Sequence, residues 1–242
     1  MIDKTRNKII VALDVATASE AREAIAELRE EVGAFKIGLQ LFTACGAPFV
    51  RELVKDGVKI FLDVKFHDIP VTVAKASVEV ARLGVWMFNI HASGGREMIE
   101  RTVDLVSNTC QREQIEMPKL IGVTVLTSSD EAVLREIGLS RSVDEQVLAL
   151  AKMAAECGLD GVVASPNETG SISNSIGNDD FLIVTPGVRL GEIENDDQKR
   201  FTTPGEAISL GSDYLVIGRP IMSAKDRKQA VKLIVEDIAN ST

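Results

Sequence analysis

Residues 60–70 read Ile-Phe-Leu-Asp-Val-Lys-Phe-His-Asp-Ile-Pro, and they join a strand to the start of a helix. The stretch begins with apolar and β-branched residues, as a buried β-strand does, and ends at a proline, which suits the first turn of a helix. Side chains two apart in a strand share a face, so we expect Asp63 and Lys65 on one surface and Val64 on the other. Asp68 lies just beyond the strand. Burying such charges is costly and adds little to packing, which indicates a functional site.

The same alternation of an apolar strand and a helix recurs along the whole chain. Strands are predicted at 8–14, 35–38, the start of 60–70, 85–90, 119–126, 161–164, 181–184 and 214–217. Eight strand–helix units without a linker predict an α/β fold, a single (β/α)8 TIM barrel formed as one domain by residues 1–242. A doubly wound open sheet is the competing architecture. Against it, the turn after the first strand reads Asp-Val-Ala-Thr at 14–17 and holds no GxGxxG.

Composition narrows the classes of partner. The 242 residues carry a formal net charge of −9, which argues against nucleic acid or an acidic membrane but allows a small anionic ligand. The cysteines Cys45, Cys110 and Cys157 form no CxxC pair and only two histidines exist, so no metal site is predicted. Sparse, odd-numbered cysteines fit a reducing cytoplasm, and no window approaches ~18 apolar residues, so we expect a cytoplasmic protein that does not enter a membrane.

Active sites of such barrels lie at the C-terminal ends of the strands. The polar residues predicted there are Asp14, Lys36, Asp63, Lys65, Asp68, His91, Thr127, Arg189, Gly218 and Arg219. For any one of them a surface ion pair, a helix cap or a satisfied buried polar group is an alternative, and for a lone acid such as Asp14 both interpretations stay open. The group of Asp63, Lys65 and Asp68 with Lys36 favours a site.

The charges around Lys65 indicate what it does. A lysine nucleophile must lose its proton, whereas the neighbouring carboxylates of Asp63 and Asp68 stabilise its ammonium form. Lys65 is therefore better suited to donate a proton. Lys36 on the neighbouring strand is expected beside Asp63, which remains an anion. A fixed anion next to a bound carboxylate repels it until CO₂ leaves, so the pattern suits decarboxylation.

A phosphate site is predicted after the seventh and eighth strands, the usual phosphate position of these barrels. Gly218 exposes backbone N–H groups at a helix start, and Arg219 supplies a cationic fork. Arg189 and the polar segment 190–200 are placed to close over it. Gly-Arg-Pro alone is a weak signal, and a helix start without a ligand is the alternative.

Eight segments of this chain carry a resemblance to a known family. The segments are Val-Ala-Leu-Asp at 11–14, Lys-Ile-Gly at 36–38, Phe-Leu-Asp-Val-Lys-Phe-His-Asp-Ile-Pro at 61–70, His-Ala-Ser-Gly-Gly at 91–95, Val-Thr-Val-Leu-Thr-Ser at 123–128, Thr-Pro-Gly-Val-Arg at 185–189, Asp-Gln-Lys-Arg at 197–200 and Val-Ile-Gly-Arg-Pro at 216–220. Together they resemble the orotidine 5′-phosphate decarboxylase family. The Asp-x-Lys pattern is shared with phosphosugar enzymes of the same superfamily, but its Lys-Phe-His-Asp-Ile-Pro extension and the late Gln and Gly-Arg segments are highly specific. We find no departure at a position that the family uses.

The resemblance implies a homodimer that converts orotidine 5′-phosphate to UMP and CO₂ in pyrimidine biosynthesis, without a metal or organic cofactor. It implies an alternating charged array of Lys36, Asp63, Lys65 and Asp68, in which Asp68 crosses the dimer interface. Lys65 is then the proton donor to C6, and Asp63 the anion beside the substrate carboxylate.

Other positions acquire binding roles from the same resemblance. Asp14 and Lys36 are expected to contact the ribose hydroxyls, together with Asp68 and Thr72 of the partner subunit. Thr127 is expected at the pyrimidine. The expected phosphate ligands are Gln198, Arg219 and the Gly218 N–H, with Arg189 in the closing loop.

Two alternatives remain at this point. A relative that acts on sugar phosphates with magnesium, a 3-keto-gulonate-6-phosphate decarboxylase or hexulose-phosphate synthase, uses a similar Asp-x-Lys. A non-enzymatic phosphate-binding or structural barrel is the other, although a relic site is expected to lose its costly buried charges.

Overall fold

All eight predicted strands form, and they close into a parallel barrel. The computed structural model describes residues 2–190 and 202–241. Each strand pairs in parallel with the next, and the last pairs with the first, which confirms the (β/α)8 prediction and excludes the open sheet. The strands are β1 (Ile9–Ala12), β2 (Ala34–Gly38), β3 (Ile60–Phe66), β4 (Met87–His91), β5 (Lys119–Val123), β6 (Gly161–Val163), β7 (Leu182–Pro186) and β8 (Tyr214–Ile217).

The helices lie between the strands and at the two chain ends. A 3₁₀ turn, Ala92–Gly94, follows β4. The α-helices of the described residues are α1 (Ile2–Arg6), α2 (Ala18–Leu28), α3 (Leu39–Lys55), α4 (Pro70–Arg82), α5 (Arg96–Glu113), α6 (Glu131–Glu136), α7 (Val143–Glu156), α8 (Pro166–Ile176), α9 (Pro204–Ser209), α10 (Arg219–Met222) and α11 (Arg227–Asn240).

Helix starts follow the capping residues of the sequence. Thr17 caps α2 in a reciprocal capping box with Glu20. The cap of α6 is Asp130, whose carboxylate accepts hydrogen bonds from two backbone N–H groups. Pro70 occupies the first turn of α4. The terminal helix is interrupted, and its second part begins at the cap residue Asp226.

The barrel separates two apolar layers. Alternate strand residues point outward to the helices, and the others fill the barrel interior. Val64 lies in the outer layer, as predicted. The buried inner cluster consists of Ile10, Ala12, Ala34, Phe61, Met87, Ile121, Val184 and Val216. These packed apolar side chains fill the barrel interior below the charged residues at the C-terminal ends of the strands.

Several predicted strand boundaries differ from the structure. The first strand, predicted at 8–14, is Ile9–Ala12, and the seventh, predicted at 181–184, is Leu182–Pro186. The strand predicted to reach residue 126 ends at Val123, because Val125 and Leu126 belong to the following loop, where they line a cavity. The fourth strand begins at Met87 and includes His91. Across the described ranges, no helix is both long enough and apolar enough to span a bilayer.

Candidate active site

Four charged side chains of alternating sign lie in a row at the ends of β1, β2 and β3. The ammonium of Lys36 lies 3.3 Å from Asp14 Oδ1 and 3.3 Å from Asp63 Oδ2. Lys65 Nζ lies 2.6 Å from the other oxygen of the same carboxylate, Asp63 Oδ1. The row therefore runs Asp14, Lys36, Asp63, Lys65, with each cation touching a carboxylate.

Strand register explains how Lys36 reaches Asp63. Lys36 is paired with Phe61 in the ladder between β2 and β3, so its backbone lies one inward layer below Asp63. The long side chain extends upward past Gly38, the residue directly opposite Asp63. A Cβ on Gly38 would lie 3.0 Å from Lys36 Nζ, so the missing side chain leaves room for the ammonium.

Asp63 is an anion in this setting. Its side chain is only 12% exposed, and burial alone opposes its ionisation. The positive charges of Lys36 and Lys65, with hydrogen bonds from Lys65 and Asn89, outweigh that penalty and hold the pKa of Asp63 below its ordinary value of 3.8. The carboxylate is therefore ionised across the physiological pH range.

The backbone of β3 is irregular where the charges cluster. Residues 63–65 stand opposite the single residue Asn89 of β4, which makes a bulge. Lys65 has φ of 52°, and among the described non-glycine residues only Gln114 shares a positive value. Asp63 and Lys65 do share a surface, as predicted, but a bulge rather than regular alternation brings them together.

Asn89 completes this arrangement, and sequence reasoning missed it. The Lys65 backbone N–H donates to Asn89 Oδ1 at 2.8 Å, and Asn89 Nδ2 donates to Asp63 Oδ1 at 2.7 Å. Its side chain is fully buried. The available signal was a polar residue at an inward position of the apolar segment Met-Phe-Asn-Ile-His.

A cavity of about 330 Å³ opens above the charged row, inside the ~300–1,000 Å³ range of small-molecule sites. One wall carries the four charges and another is apolar, with Val123, Val163 and Val216 among its residues. Thr127, Arg189, Gly218 and Arg219 line the remaining side. The cavity thus brings together predicted residues of β2 and β3 and predicted residues that directly follow β1, β5, β7 and β8.

The lining is electropositive although the protein is acidic. Two carboxylates and four cationic side chains face the cavity, a formal balance of +2 in a chain of −9. Gly218 lies close to the charged row, since a Cβ there would be 3.2 Å from Asp14 Oδ2. Local charge favours an anionic ligand in this cavity.

Among the described residues, the predicted His91, Asp68 and Thr72 do not line this cavity. Asp68 and Thr72 are exposed and lie outside the cavity of their own chain. The carboxylate of Asp68 instead accepts the N–H of Ile69 at 2.6 Å. Gln198, with most of segment 190–200, lies outside the described residues.

In the described part of the chain, no group of three or more His, Cys, Asp or Glu side chains is placed to hold a metal ion. The rings of His67 and His91 lie 5.3 Å apart, beside the site. Burial, first, and then the charges of His67 and Lys65 lower the pKa of His91, so its imidazole is neutral near pH 7.

The chain is similar to known proteins over nearly its whole length. The profile described as Orotidine 5'-phosphate decarboxylase / HUMPS family matches residues 7–234. A protein of Syntrophotalea carbinolica named orotidine 5'-phosphate decarboxylase is 52% identical over 239 residues, covering 99% of this chain and 98% of its own length. A protein of the same name from Geobacter sulfurreducens is 50% identical over 236 residues, covering 98% of both chains.

A solved structure agrees with the fold. The crystal structure of orotidine 5'-phosphate decarboxylase from Lactobacillus acidophilus superposes with a TM-score of 0.83 and 38% identity, covering 95% of this chain and 98% of that one. Both chains are thus alike over nearly their full length. The chain belongs to the orotidine 5′-phosphate decarboxylase / HUMPS family.

Proposed function

We propose that this protein converts orotidine 5′-phosphate to UMP and CO₂, with Lys65 as the proton donor to C6 and Asp63 as the anion beside the substrate carboxylate. The observation that carries the proposal is the buried Asp63 anion held between two ammonium groups at the floor of an electropositive cavity. Relatives about 50% identical over nearly the whole chain are named for this reaction, and the chain is a carboxy-lyase.

The decarboxylation step uses charge that the fold has already placed. A substrate carboxylate next to Asp63 is repelled by it, and the repulsion ends when the bond from C6 to the carboxylate breaks and neutral CO₂ leaves. The electron pair stays on C6. The ammonium of Lys65 neutralises the developing carbanion and transfers a proton to it, and the lysine regains its proton from water.

Lys65 is suited to this role by its partners. Its Nζ lies 2.6 Å from the ionised Asp63, which stabilises the ammonium form. Asp63 is itself fixed by Lys36 and by Asn89, so the donor is aimed by a rigid anion. A proton donor held in place costs little reorganisation during the reaction.

The phosphate is proposed to bind at the other side of the cavity. Arg219, the Gly218 N–H and Gln198 are its proposed ligands, with Arg189 in the closing loop. Arginine recognises phosphate through paired N–H donors, and both arginines line the cavity. Phosphate binding remote from C6 then contributes to organising the reacting groups. Thr127 is the proposed pyrimidine contact.

The ribose is proposed to bind between two subunits of a homodimer. Asp14 and Lys36 contact its hydroxyls from one chain, and Asp68 and Thr72 from the partner. The exposure of Asp68 and Thr72 supports this division, because neither faces the cavity of its own chain. Adjacent apolar Ile69, 63% exposed, adds the kind of surface that an interface covers.

Formation of UMP in excess EDTA tests the reaction. The family also contains the sugar-phosphate enzymes that use magnesium, and the electropositive cavity alone fits both substrates. We expect undiminished conversion of orotidine 5′-phosphate with the chelator present. A strict requirement for added Mg²⁺, or turnover of a hexulose phosphate instead, would contradict the proposal.

A further inference from the structure

Asn89 lies where the barrel leaves a backbone N–H group without its regular hydrogen-bond acceptor. It lies inside the barrel on β4 and is the only amide among the fully buried polar side chains of the described residues. It faces the bulge at residues 63–65, where β3 and β4 fall out of register. The bulge removes the regular ladder bond, so the backbone N–H of Lys65 needs another acceptor. Asn89 Oδ1 is that acceptor.

The second bond of Asn89 goes to the catalytic anion. A backbone N–H can only donate, so the amide oxygen faces Lys65 and the amide nitrogen must face Asp63. Asp63 Oδ1 therefore receives two donors, Asn89 Nδ2 at 2.7 Å and Lys65 Nζ at 2.6 Å. The three residues form a closed ring of hydrogen bonds that fixes a backbone conformation and a carboxylate together.

Asn89 itself does not touch the space for the ligand. Asn89 is absent from the lining of the cavity, whereas Asp63 and Lys65 both line it. The positive φ of Lys65 is a conformation that L-residues adopt reluctantly and that persists only when its surroundings enforce it. The side chain of Lys65 leaves the strand in the direction that this φ sets. Asn89 thus fixes both members of the reacting pair, Lys65 through its backbone and Asp63 through its carboxylate.

We propose that Asn89 is a positioning residue for the decarboxylation: one amide holds the Lys65 backbone in its left-handed conformation and aims the Asp63 carboxylate at the Lys65 ammonium. The inference rests on the proposed roles of Asp63 and Lys65. It assigns no contact with substrate to Asn89.

Asn89→Asp tests this with a minimal change. The variant keeps an oxygen for the Lys65 N–H but replaces the donor to Asp63 by a second carboxylate oxygen. At neutral pH the carboxylates of residues 89 and 63 repel each other, and the Asp63 carboxylate rotates away from the Lys65 ammonium. We expect kcat to fall about 100-fold while KM for orotidine 5′-phosphate changes little, since misplacement by ~1 Å is worth that much.

The loss in Asn89→Asp should diminish as the pH is lowered. A carboxyl facing another carboxylate takes up a proton more readily, and once protonated it donates to Asp63 as the amide did. The charged or titratable groups near this position are Asp63 and Lys65 on β3, Lys36 on β2, and His91 on β4 itself. Its paired neighbour on β5, Ile121, does not titrate. These groups are common to both proteins, so the variant to wild-type ratio of kcat isolates the introduced carboxyl.

Two further variants separate positioning from general stability. Asn89→Leu removes both hydrogen bonds at similar volume, and we expect a fall in kcat whose ratio to wild type does not vary with pH. Thr124→Val is the matched control, because it removes a buried hydrogen bond (Thr124 Oγ1 to Val163 O, 2.9 Å) near the barrel mouth without touching Asp63 or Lys65. Its kcat and pH profile should equal those of the wild type.

The outcomes distinguish a positioning role of Asn89 from a purely structural role. Wild-type turnover with a pH-dependent loss of kcat in Asn89→Asp supports the positioning role. A wild-type pH profile in that variant, a loss independent of pH, or an effect confined to KM overturns it and leaves the proposed function standing. Absence of turnover by the wild type itself overturns the proposed function instead.

Discussion

Replacing Asp63 by asparagine removes the anion between two ammonium groups and leaves the shape of the side chain nearly unchanged. Lys65 loses the carboxylate partner at 2.6 Å, and Lys36 loses one of its two carboxylate partners. Removing one partner of a fully buried pair costs ~3–5 kcal/mol. Here Lys36 retains Asp14, and the Lys65 side chain is 29% exposed, so water compensates part of the loss. We therefore expect Asp63→Asn to lower the free energy of unfolding by about 2 kcal/mol at neutral pH.

The pH dependence of this deficit tests which force controls Asp63. Its pKa in the folded protein is below the ordinary 3.8, despite burial, because of the lysine charges and hydrogen bonds. A depressed pKa stabilises the fold above the unfolded value, and this contribution is lost as the pH falls through the folded pKa. The deficit of Asp63→Asn should therefore be constant from about pH 8 to about pH 5 and shrink only below about pH 4.

Urea unfolding followed by circular dichroism measures the deficit. All variants are compared at one protein concentration, because the stability of the proposed dimer would depend on concentration. Asp14→Asn is the matched control. Asp14 lies at the same 3.3 Å from Lys36, but its side chain is 63% exposed, so we expect only ~0–1 kcal/mol. A deficit for Asp63→Asn that grows as the pH is lowered from about pH 7 to about pH 5 would refute the reasoning. The wild type would then gain stability on acidification, which means that burial outweighs the lysines and raises the pKa of Asp63.

Two predictions concern the ligand and the partner subunit. Arg219→Ala should weaken binding of UMP far more than binding of uridine in calorimetry, and equal losses for both would remove Arg219 from the phosphate site. If Asp68 serves the partner's site, Lys65→Ala and Asp68→Ala should each be inactive, yet a mixed dimer contains one intact site. An equal mixture that exchanges subunits should then recover about a quarter of the wild-type activity. No recovery in dimers verified as mixed would contradict the shared site.

The barrel was predictable because parallel strands buried on both faces read as short apolar runs between helical segments. The strand ends were less so. Val125 and Leu126 continue the apolar run of β5, but they line the cavity from a loop, and apolarity alone does not distinguish these environments. The meeting of Asp14, Lys36, Asp63 and Lys65 followed from topology, since strand ends gather at one rim of a barrel.

The bulge at residues 63–65 was beyond prediction from local pattern. Alternation assumes a regular strand, whereas the positive φ of Lys65 depends on Asn89, which is 24 residues further along the chain. The contact exists only once β3 and β4 have paired. Asp68 and Thr72 illustrate a different limit, because a single chain places them at its surface and only an interface would bring them to a site.

Lys65→Ala tests the central claim most directly. Alanine meets the same backbone restriction at positive φ as lysine, so the fold should be kept while the ammonium is removed. We expect formation of UMP from orotidine 5′-phosphate to be abolished, with the affinity for UMP changed by less than about tenfold, roughly 1.4 kcal/mol. Substantial decarboxylation by this variant would contradict the assignment of Lys65 as the proton donor.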